Sequence, residues 1–477
     1  MNTVQRIFKN YFSLTVSQIA TNFMGVITVA YLARKLGPNA FGKLNFALSV
    51  VGYFAILSHF GLNTIGTREI ASYKDKASVY VFNIIFLKTL FGVVSYIFLA
   101  FFVYMSANKD NAGYLILVYG LTIFTANVYM FDWVYQGLEQ MEFLAVSNIL
   151  VSISYLAMLM FFVKNVTDTV YVPWILFVSQ LFAVIFLFLL FISNSKSKIT
   201  GFALDKDLSF NLIRKAAPVG ISGIMTVVVL NFPTTLLGYL CHFREVGFFN
   251  AANKIAVILS QIVLAYATAI FPTISYYYRH SADKFGRIVN FTLRLIIAIG
   301  IPSCTGIFIL SNRIIRFIYG ESFGDAHLLL RILILSAFFI YLHVIFSFLL
   351  WATNLQRKVL KITVVQAGMT LFLCTVLGGV YGSAGVCYGI LITSVTVAIL
   401  YYVQAKALFN LGWKKDVLKS LISSFVMAAV ISAIPGMNLF LLICVGAIVY
   451  FICLFVFQGI NKDDINTALV AFKERKK

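Results

Sequence analysis

From residue 11 to residue 458 the chain is a succession of apolar runs, each close to 20 residues long and parted from the next by a short polar break. A helix needs about 20 mostly apolar residues to cross the hydrocarbon of a bilayer. Backbone amides in hydrocarbon must find their partners inside the segment or in a closed barrel. The runs are unbroken, without the in–out alternation of an outer-membrane barrel strand, so the spans are helices. Composition agrees: 61% of the 477 residues are hydrophobic and 11% are charged, whereas soluble domains carry about 25% charged residues. The chain is predicted to be an all-α integral membrane protein of about 14 transmembrane helices, at 11–33, 44–66, 81–104, 113–133, 143–163, 171–192, 217–240, 247–270, 289–310, 326–350, 360–380, 383–404, 417–434 and 438–458.

Short connections make neighbouring helices antiparallel. The longest internal polar break, 193–216, leaves six spans before it and eight after. The two parts share a faint echo. Tyr31-Leu32 before Gly42-Lys43-Leu44-Asn45-Phe46-Ala47 is matched by Tyr239-Leu240 before Gly247-Phe248-Phe249-Asn250-Ala251-Ala252. Units of six spans have the same topology, so a repeat of this kind is parallel, about an axis along the membrane normal. The expected organisation is an N-terminal lobe over 1–200, a second lobe over 201–410, and two added spans with a basic tail over 411–477.

Charge orients the chain. Lys and Arg number 37 against 17 Asp and Glu, a net charge of +20. Basic residues concentrate at 193–216 (Lys196, Lys198, Lys206, Arg214, Lys215) and in the tail (Lys462, Lys473, Arg475, Lys476, Lys477). The positive-inside rule then puts both termini in the cytoplasm. Arg34, Lys35 and Lys43 run against this and fall on the outer side. Scattered basic residues without a basic domain exclude nucleic-acid binding. Six cysteines without a C-x-x-C pair, mostly inside apolar runs, read as small core residues rather than disulfides or metal ligands. The run from Tyr11 to Ala33 reads as a first span, too long for the core of a removable leader. No loop is long enough to hold a soluble catalytic domain.

Few residues are placed for chemistry. Ionisable groups within a bilayer are functional candidates. Lys254 lies about two turns into span eight, Arg294 inside span nine and Lys88 inside span three. Asp132 ends span four beside Trp133, where pairing with Arg68 or Lys88 would make a cytoplasmic gate, and Arg68 and Glu69 close span two. The competing reading for the cations is snorkelling toward the interface. Gln18 and Asn22 are four apart and share a helix face. With Asn231 and Asn253 they offer the donors and acceptors that sugar hydroxyls need, or serve as interhelical glue. Pro233 inside span seven, and Pro302 with Gly300 in span nine, are candidate hinges. Gly378, Gly382, Gly385 and Gly389 mark a tight turn between spans eleven and twelve. Gly37 to Lys43 reads G-x-x-x-x-G-K, but Leu44 stands where a phosphate-binding loop needs a hydroxyl, so it is a turn between spans.

Motifs in order carry a resemblance. Leu36-Gly37-Pro38 with Phe41-Gly42, Phe60-Gly61-Leu62-Asn63, Thr67-Arg68-Glu69-Ile70, Gln136-Gly137-Leu138-Glu139 with Gln140-Met141-Glu142, and Glu245-Val246-Gly247 before Asn250-Ala251-Ala252 resemble bacterial polysaccharide transporters. These are the O-antigen and capsule repeat-unit flippases of the multidrug, oligosaccharidyl-lipid and polysaccharide exporter superfamily. The resemblance implies two six-helix lobes around a cationic central cavity lined by spans one, two, seven and eight. It implies export of an undecaprenyl-pyrophosphate-linked oligosaccharide from the inner leaflet of the bacterial inner membrane by alternating access. Lys254 and Arg294 are then the first anion ligands, with Gln18, Asn22, Asn231 and Asn253 beside them, and Arg68, Glu69, Asp132 and Lys88 form the gate. The expected partners are that lipid-linked glycan, membrane lipid, and the glycan polymerase with its chain-length machinery. No cofactor, metal or enzymatic step is expected. Drug and cation antiporters of the superfamily use a buried carboxylate, and no Asp or Glu lies near the middle of any span here. A small-molecule antiporter on the same fold is the second reading, and a membrane glycan polymerase or ligase the third.

Overall fold

A 57-residue helix would be about 85 Å long, nearly three times the thickness of bilayer hydrocarbon. The first helix of the chain, α1 (Thr3–His59), has that length and is interrupted once, at Gly37 (φ 70°, ψ 174°) with Pro38 behind it. Only glycine takes that backbone geometry readily, and proline cannot continue the ladder before it. The 51-residue α12 (Gln356–Lys406) is broken in the same way at Gly382 (φ 58°, ψ −135°). Around that break Gly385 would press a Cβ against the Leu377 carbonyl, and Gly389 would press one to 3.0 Å from Cys374 N. The expected tight turn is there. In the computed structural model, which describes residues 3–106, 112–194, 204–407, 414–434 and 436–457, twelve helical stretches are long and apolar enough to cross a membrane. Splitting the two long ones at their glycines gives the fourteen passes that the apolar runs imply. Lys196, Lys198 and the basic residues of the tail lie outside the described residues.

Between these come α2 (Leu62–Ser72), α3 (Ala77–Met105), α4 (Ala112–Gly120), a π-helical stretch (Ile123–Val128), α5 (Asp132–Gly137), α6 (Met141–Phe162), α7 (Tyr171–Asn194), α8 (Lys206–Leu240), α9 (Phe243–His280), α10 (Ala282–Tyr319) and α11 (Ala326–Ala352). After α12, the described residues continue with α13 (Lys414–Ala433) and α14 (Leu439–Val456). Two expected spans are not continuous α-helix. The span expected over 44–66 is broken at Phe60 (φ 35°) and Gly61 (φ 79°). The one over 113–133 passes through the π-helix, where Tyr129 N donates to Phe124 O at 2.8 Å. Apolar periodicity is blind to both, because the interrupted residues stay as apolar as their neighbours.

The chain divides into two compact units, 1–247 and 248–477. In the first, the two halves of α1 take different neighbours. Ser17 and Tyr31 on the first half donate to Ala145 O and Val163 O of the α6 hairpin (3.2 and 2.7 Å). On the second half Ser49 meets Thr235 of α8 at 2.9 Å. A core of Leu62, Ile65, Ile70, Ile84, Trp133 and Tyr135 fills the space among α2, α3 and α5. Close backbone contact marks one joint: a Cβ on Gly42 would meet Phe243 O and lie 2.9 Å from Gly247 N, while a Cβ on Gly247 would meet Pro38 O. These are the glycines that head the two echoed sequences. In the second unit α10 packs against α11 and α13, and α13 against α14. Tyr450 on α14 donates to Ala298 O at 2.7 Å, so the two last spans dock on α10. Large apolar side chains such as Phe23, Phe425 and Phe455 stand outward on the surface, as expected where lipid is the solvent.

Candidate functional site

Four atoms in the first unit are buried and lack a hydrogen-bond partner within one small region: His59 Nδ1, Asn63 Oδ1, Lys88 Nζ and Asp132 Oδ1. They come from the end of α1, the start of α2, the middle of α3 and the start of α5. Lys88 is fully buried, 0% exposed. Its ammonium lies 5.5 Å from the centroid of the Trp133 ring, close enough for attraction to the ring face. The charge of Lys88 is also felt by Asp132 and His59. An isolated ammonium in an apolar core is costly, and two nitrogens (His59 Nδ1, Lys88 Nζ) and two acceptor oxygens (Asn63 Oδ1, Asp132 Oδ1) without partners make this the polar cluster of the first unit.

The surroundings explain how the site is held. Gly66 lets α2 lie against Trp133: a Cβ there would come within 2.6 Å of Trp133 Cζ3 and 2.9 Å of Ile84 Cδ1. Thr67 Oγ1 donates to Asn63 O (3.0 Å) and to Trp133 O (3.1 Å), tying α2 to α5. Phe60 and Gly61 pack on α8, where a Cβ on Gly61 would lie 2.8 Å from Ala216 O and from Gly220 N. A non-glycine residue held at positive φ stores of order 1–3 kcal/mol, and π-helical turns are frequent at functional sites. Both irregularities border this cluster.

An ion-pair layer lies beyond it. Glu69 is buried and accepts from Lys215 of α8 at 2.9 Å and from Arg68 at 3.4 Å. Lys9 pairs with Glu142 at 2.9 Å, Lys74 with Glu139 at 3.7 Å, and Asn10 donates to Glu139 O at 2.9 Å. Thus Glu139 and Glu142 of Gln136-Gly137-Leu138-Glu139-Gln140-Met141-Glu142 hold Lys9 and Asn10 of α1 and Lys74 in the turn after α2. Asn83, fully buried, accepts from Asp205 N (3.0 Å) and Ser209 Oγ (3.1 Å), fixing the start of α8 to α3. All four residues expected at the gate, Arg68, Glu69, Asp132 and Lys88, belong to this one region. Sequence reasoning passed over Trp133 as a ring partner, Asn83, and Lys215 as the partner of Glu69. A Trp beside the Asp132 carboxylate was the available signal for the first; the other two are contacts over more than 120 residues.

The expected substrate ligands are distributed. Gln18 donates to Asn22 at 3.3 Å on an exposed stretch of α1, sharing a face as the four-residue spacing requires. Asn231 instead faces the second half of α1, with its side-chain amide against Gly52. Asn253 is half-buried and Lys254 exposed on α9, in the second unit. Arg294, also there, has its Nε 3.1 Å from Asp416 Oδ2 of α13, the two side chains 27% and 12% exposed. Pro233 is buried and Pro302 half-buried, and α8 and α10 run through them as single helices.

The family described as "Polysaccharide biosynthesis protein" matches residues 7–278. The "Putative O-antigen transporter" of Escherichia coli (strain K12) is 24% identical over 406 residues, 83% of this chain and 96% of that protein. The protein of the same name from Shigella dysenteriae is 23% identical over 409 residues, 83% of this chain and 99% of that protein. Among solved structures, "Lipid II flippase MurJ, inward closed conformation" superposes with a TM-score of 0.72 at 17% identity, over 93% of this chain and 98% of that one. An inward-facing multidrug resistance MATE family transporter of the MOP superfamily gives 0.69 at 16% identity, over 83% and 97%.

Proposed function

Because the chain belongs to the polysaccharide biosynthesis protein family, we propose that it is a flippase for a lipid-linked glycan, moving an undecaprenyl-pyrophosphate-linked O-antigen or capsule repeat unit across the bacterial inner membrane. One observation carries this reading: similarity runs through 96% and 99% of two proteins named for O-antigen transport, the whole of the transporter rather than a shared segment. The physical task is to carry a sugar-pyrophosphate head through hydrocarbon, where unpaired polar groups cost several kcal/mol each. Cationic groups suit that head. Lys254 and Arg294 are assigned to the pyrophosphate, and Gln18, Asn22, Asn231 and Asn253 to sugar hydroxyls, in a cationic cavity. Arg68, Glu69, Asp132 and Lys88 are assigned to the inner gate, and Pro233 and Pro302 to bending between states. The lobes are taken as 1–200 and 201–410, with 411–477 added, and both termini as cytoplasmic. The glycan polymerase and its chain-length partners would receive the product.

The test is the sidedness of lipid-linked oligosaccharide in cells depleted of the protein. Single repeat units trapped on the cytoplasmic leaflet are expected. Lys254→Ala should reduce export at unchanged membrane level. Normal translocation with failure only of later chain growth would move the assignment to a polymerase. The similarity to a multidrug transporter fold supports a second reading, a small-molecule antiporter, for which depletion would leave glycan sidedness unchanged and slow the efflux of cationic dyes.

A further inference from the structure

At the end of the first unit remote from the Lys88 cluster, the turn at Gly37 meets the start of α4 and the 3-10 turn Val166–Val170 around a cavity of about 640 Å³. That volume is in the range of small-molecule sites. Asn39, Lys43, Tyr114, Thr167 and Thr169 contribute its polar lining, and Ala40, Leu115, Val166 and Val170 its apolar part. The helix ends here fix its depth. The first half of α1, the end of α6 and the starts of α4 and α7 all terminate at this level. Tyr114 lines it, and Phe161, Tyr171 and Trp174 are exposed aromatic rings on the adjoining ends of α6 and α7. Trp174 Nε1 donates to Tyr114 Oη at 3.0 Å. Aromatic belts of this kind mark the level of lipid headgroups.

Charge singles the place out further. Arg34, Lys35 and Lys43 are among the basic residues that the sequence puts on the outer side, and all three flank this turn. Lys164 lies on the same loop as the 3-10 turn, its ammonium 6.0 Å from the Phe161 ring centroid. The nearby carboxylate of Asp168 is engaged by the backbone amides of Lys164 and Asn165, each at 2.9 Å. A cavity at headgroup level, lined by a cation, an amide and hydroxyls together with apolar side chains, matches an amphiphile with an anionic, hydrogen-bonding head. Basic pockets between membrane helices take such heads.

We propose that this cavity is a binding site for the phosphate-bearing headgroup of an anionic membrane lipid, with Lys43 meeting the phosphate, Asn39 and Thr167 meeting headgroup hydroxyls, and Val166 and Val170 lying along the first carbons of the chain. This assignment concerns a resident membrane lipid and does not depend on what the protein exports.

The experiment is native mass spectrometry of the full chain in detergent, titrated with phosphatidylglycerol or phosphatidylcholine. Phosphatidylglycerol should bind more tightly, and Lys43→Gln should weaken it about tenfold, the loss of one charge-assisted contact. Thr167→Val, at an exposed position, tests the same site without touching the core, and should weaken phosphatidylglycerol alone by a smaller factor. Lys419→Gln on α13 should change nothing. Equal binding of the two lipids, or phosphatidylglycerol binding that neither Lys43→Gln nor Thr167→Val alters, would overturn the proposal. Glycerol 1-phosphate that binds in a Lys43-dependent way, while phosphatidylglycerol does not, would also overturn the lipid assignment and give the site to a soluble phosphate ester.

Discussion

Lys88 of α3 places its ammonium 5.5 Å from the centre of the Trp133 ring, fully buried and without a hydrogen-bond acceptor. A packing residue would be apolar at this position. Lys88→Met keeps the volume and discards the charge, and exchanging a buried charge for a packed apolar side chain is commonly neutral or stabilising. The melting temperature of Lys88→Met in detergent should therefore equal or exceed that of the native protein. Export of lipid-linked glycan at matched protein level should fall at least about tenfold, a loss of about 1.4 kcal/mol or more. Native export by Lys88→Met would reduce Lys88 to a packing role.

Glu69 joins Arg68 to Lys215. The carboxylate is 8% exposed but its two partners are about half exposed or more, so solvent screens the pair, and its worth is about 1 kcal/mol or less. A double-mutant cycle of Glu69→Gln and Lys215→Gln, read by thermal unfolding, should show coupling of that size. Additive losses would mean that the two side chains do not interact.

Gly66 and Gly286 make a matched pair. Gly66→Ala forces a Cβ into Trp133 and Ile84, and overpacking of this kind costs about 1–3 kcal/mol. Gly286 has nothing within 4 Å of its would-be Cβ, so Gly286→Ala in α10 should be neutral or stabilising by up to about 1 kcal/mol. The comparison is made on the two melting temperatures. Similar values would place the Trp133 ring elsewhere.

Arg294 and Asp416 pair between α10 and α13. Arg294→Gln strands a carboxylate that is 12% exposed, at a cost of about 1–3 kcal/mol once partial exposure is allowed for. The exchange Arg294→Asp with Asp416→Arg should recover most of the lost melting temperature. If stability returns and export does not, Arg294 acts on the substrate as well as on α13. If neither returns, the geometry of the pair is wrong.

The apolar runs announced the helices, and Gly37-Pro38 and the glycines at 378–389 announced two of the reversals, because helix length and glycine chemistry are local. The break at Phe60-Gly61 and the π-helix at 123–128 were illegible for a physical reason. In a bilayer the lipid-facing and inward-facing sides are both apolar, so the periodicity that reveals a kink or a buried face in a soluble helix is erased. Arg68, Glu69, Lys88 and Asp132 stood out because charge in hydrocarbon is rare. Their partners did not: Lys215 is 146 residues from Glu69 and Asp416 lies 122 positions beyond Arg294, separations at which nothing in the sequence ties one residue to another.

The joint between Gly42 and Gly247 has a consequence for how such a chain tolerates change. Main chain rests on main chain there, so no neighbouring side chain can shrink to accommodate an added methyl group. A scan of every substitution across the two echoed sequences should find almost no replacement tolerated at residues 42 and 247, whereas exposed Asn39 close by keeps its fold with many side chains. Drift can rewrite the surface of both hairpins, but it has no gradual route through those two positions.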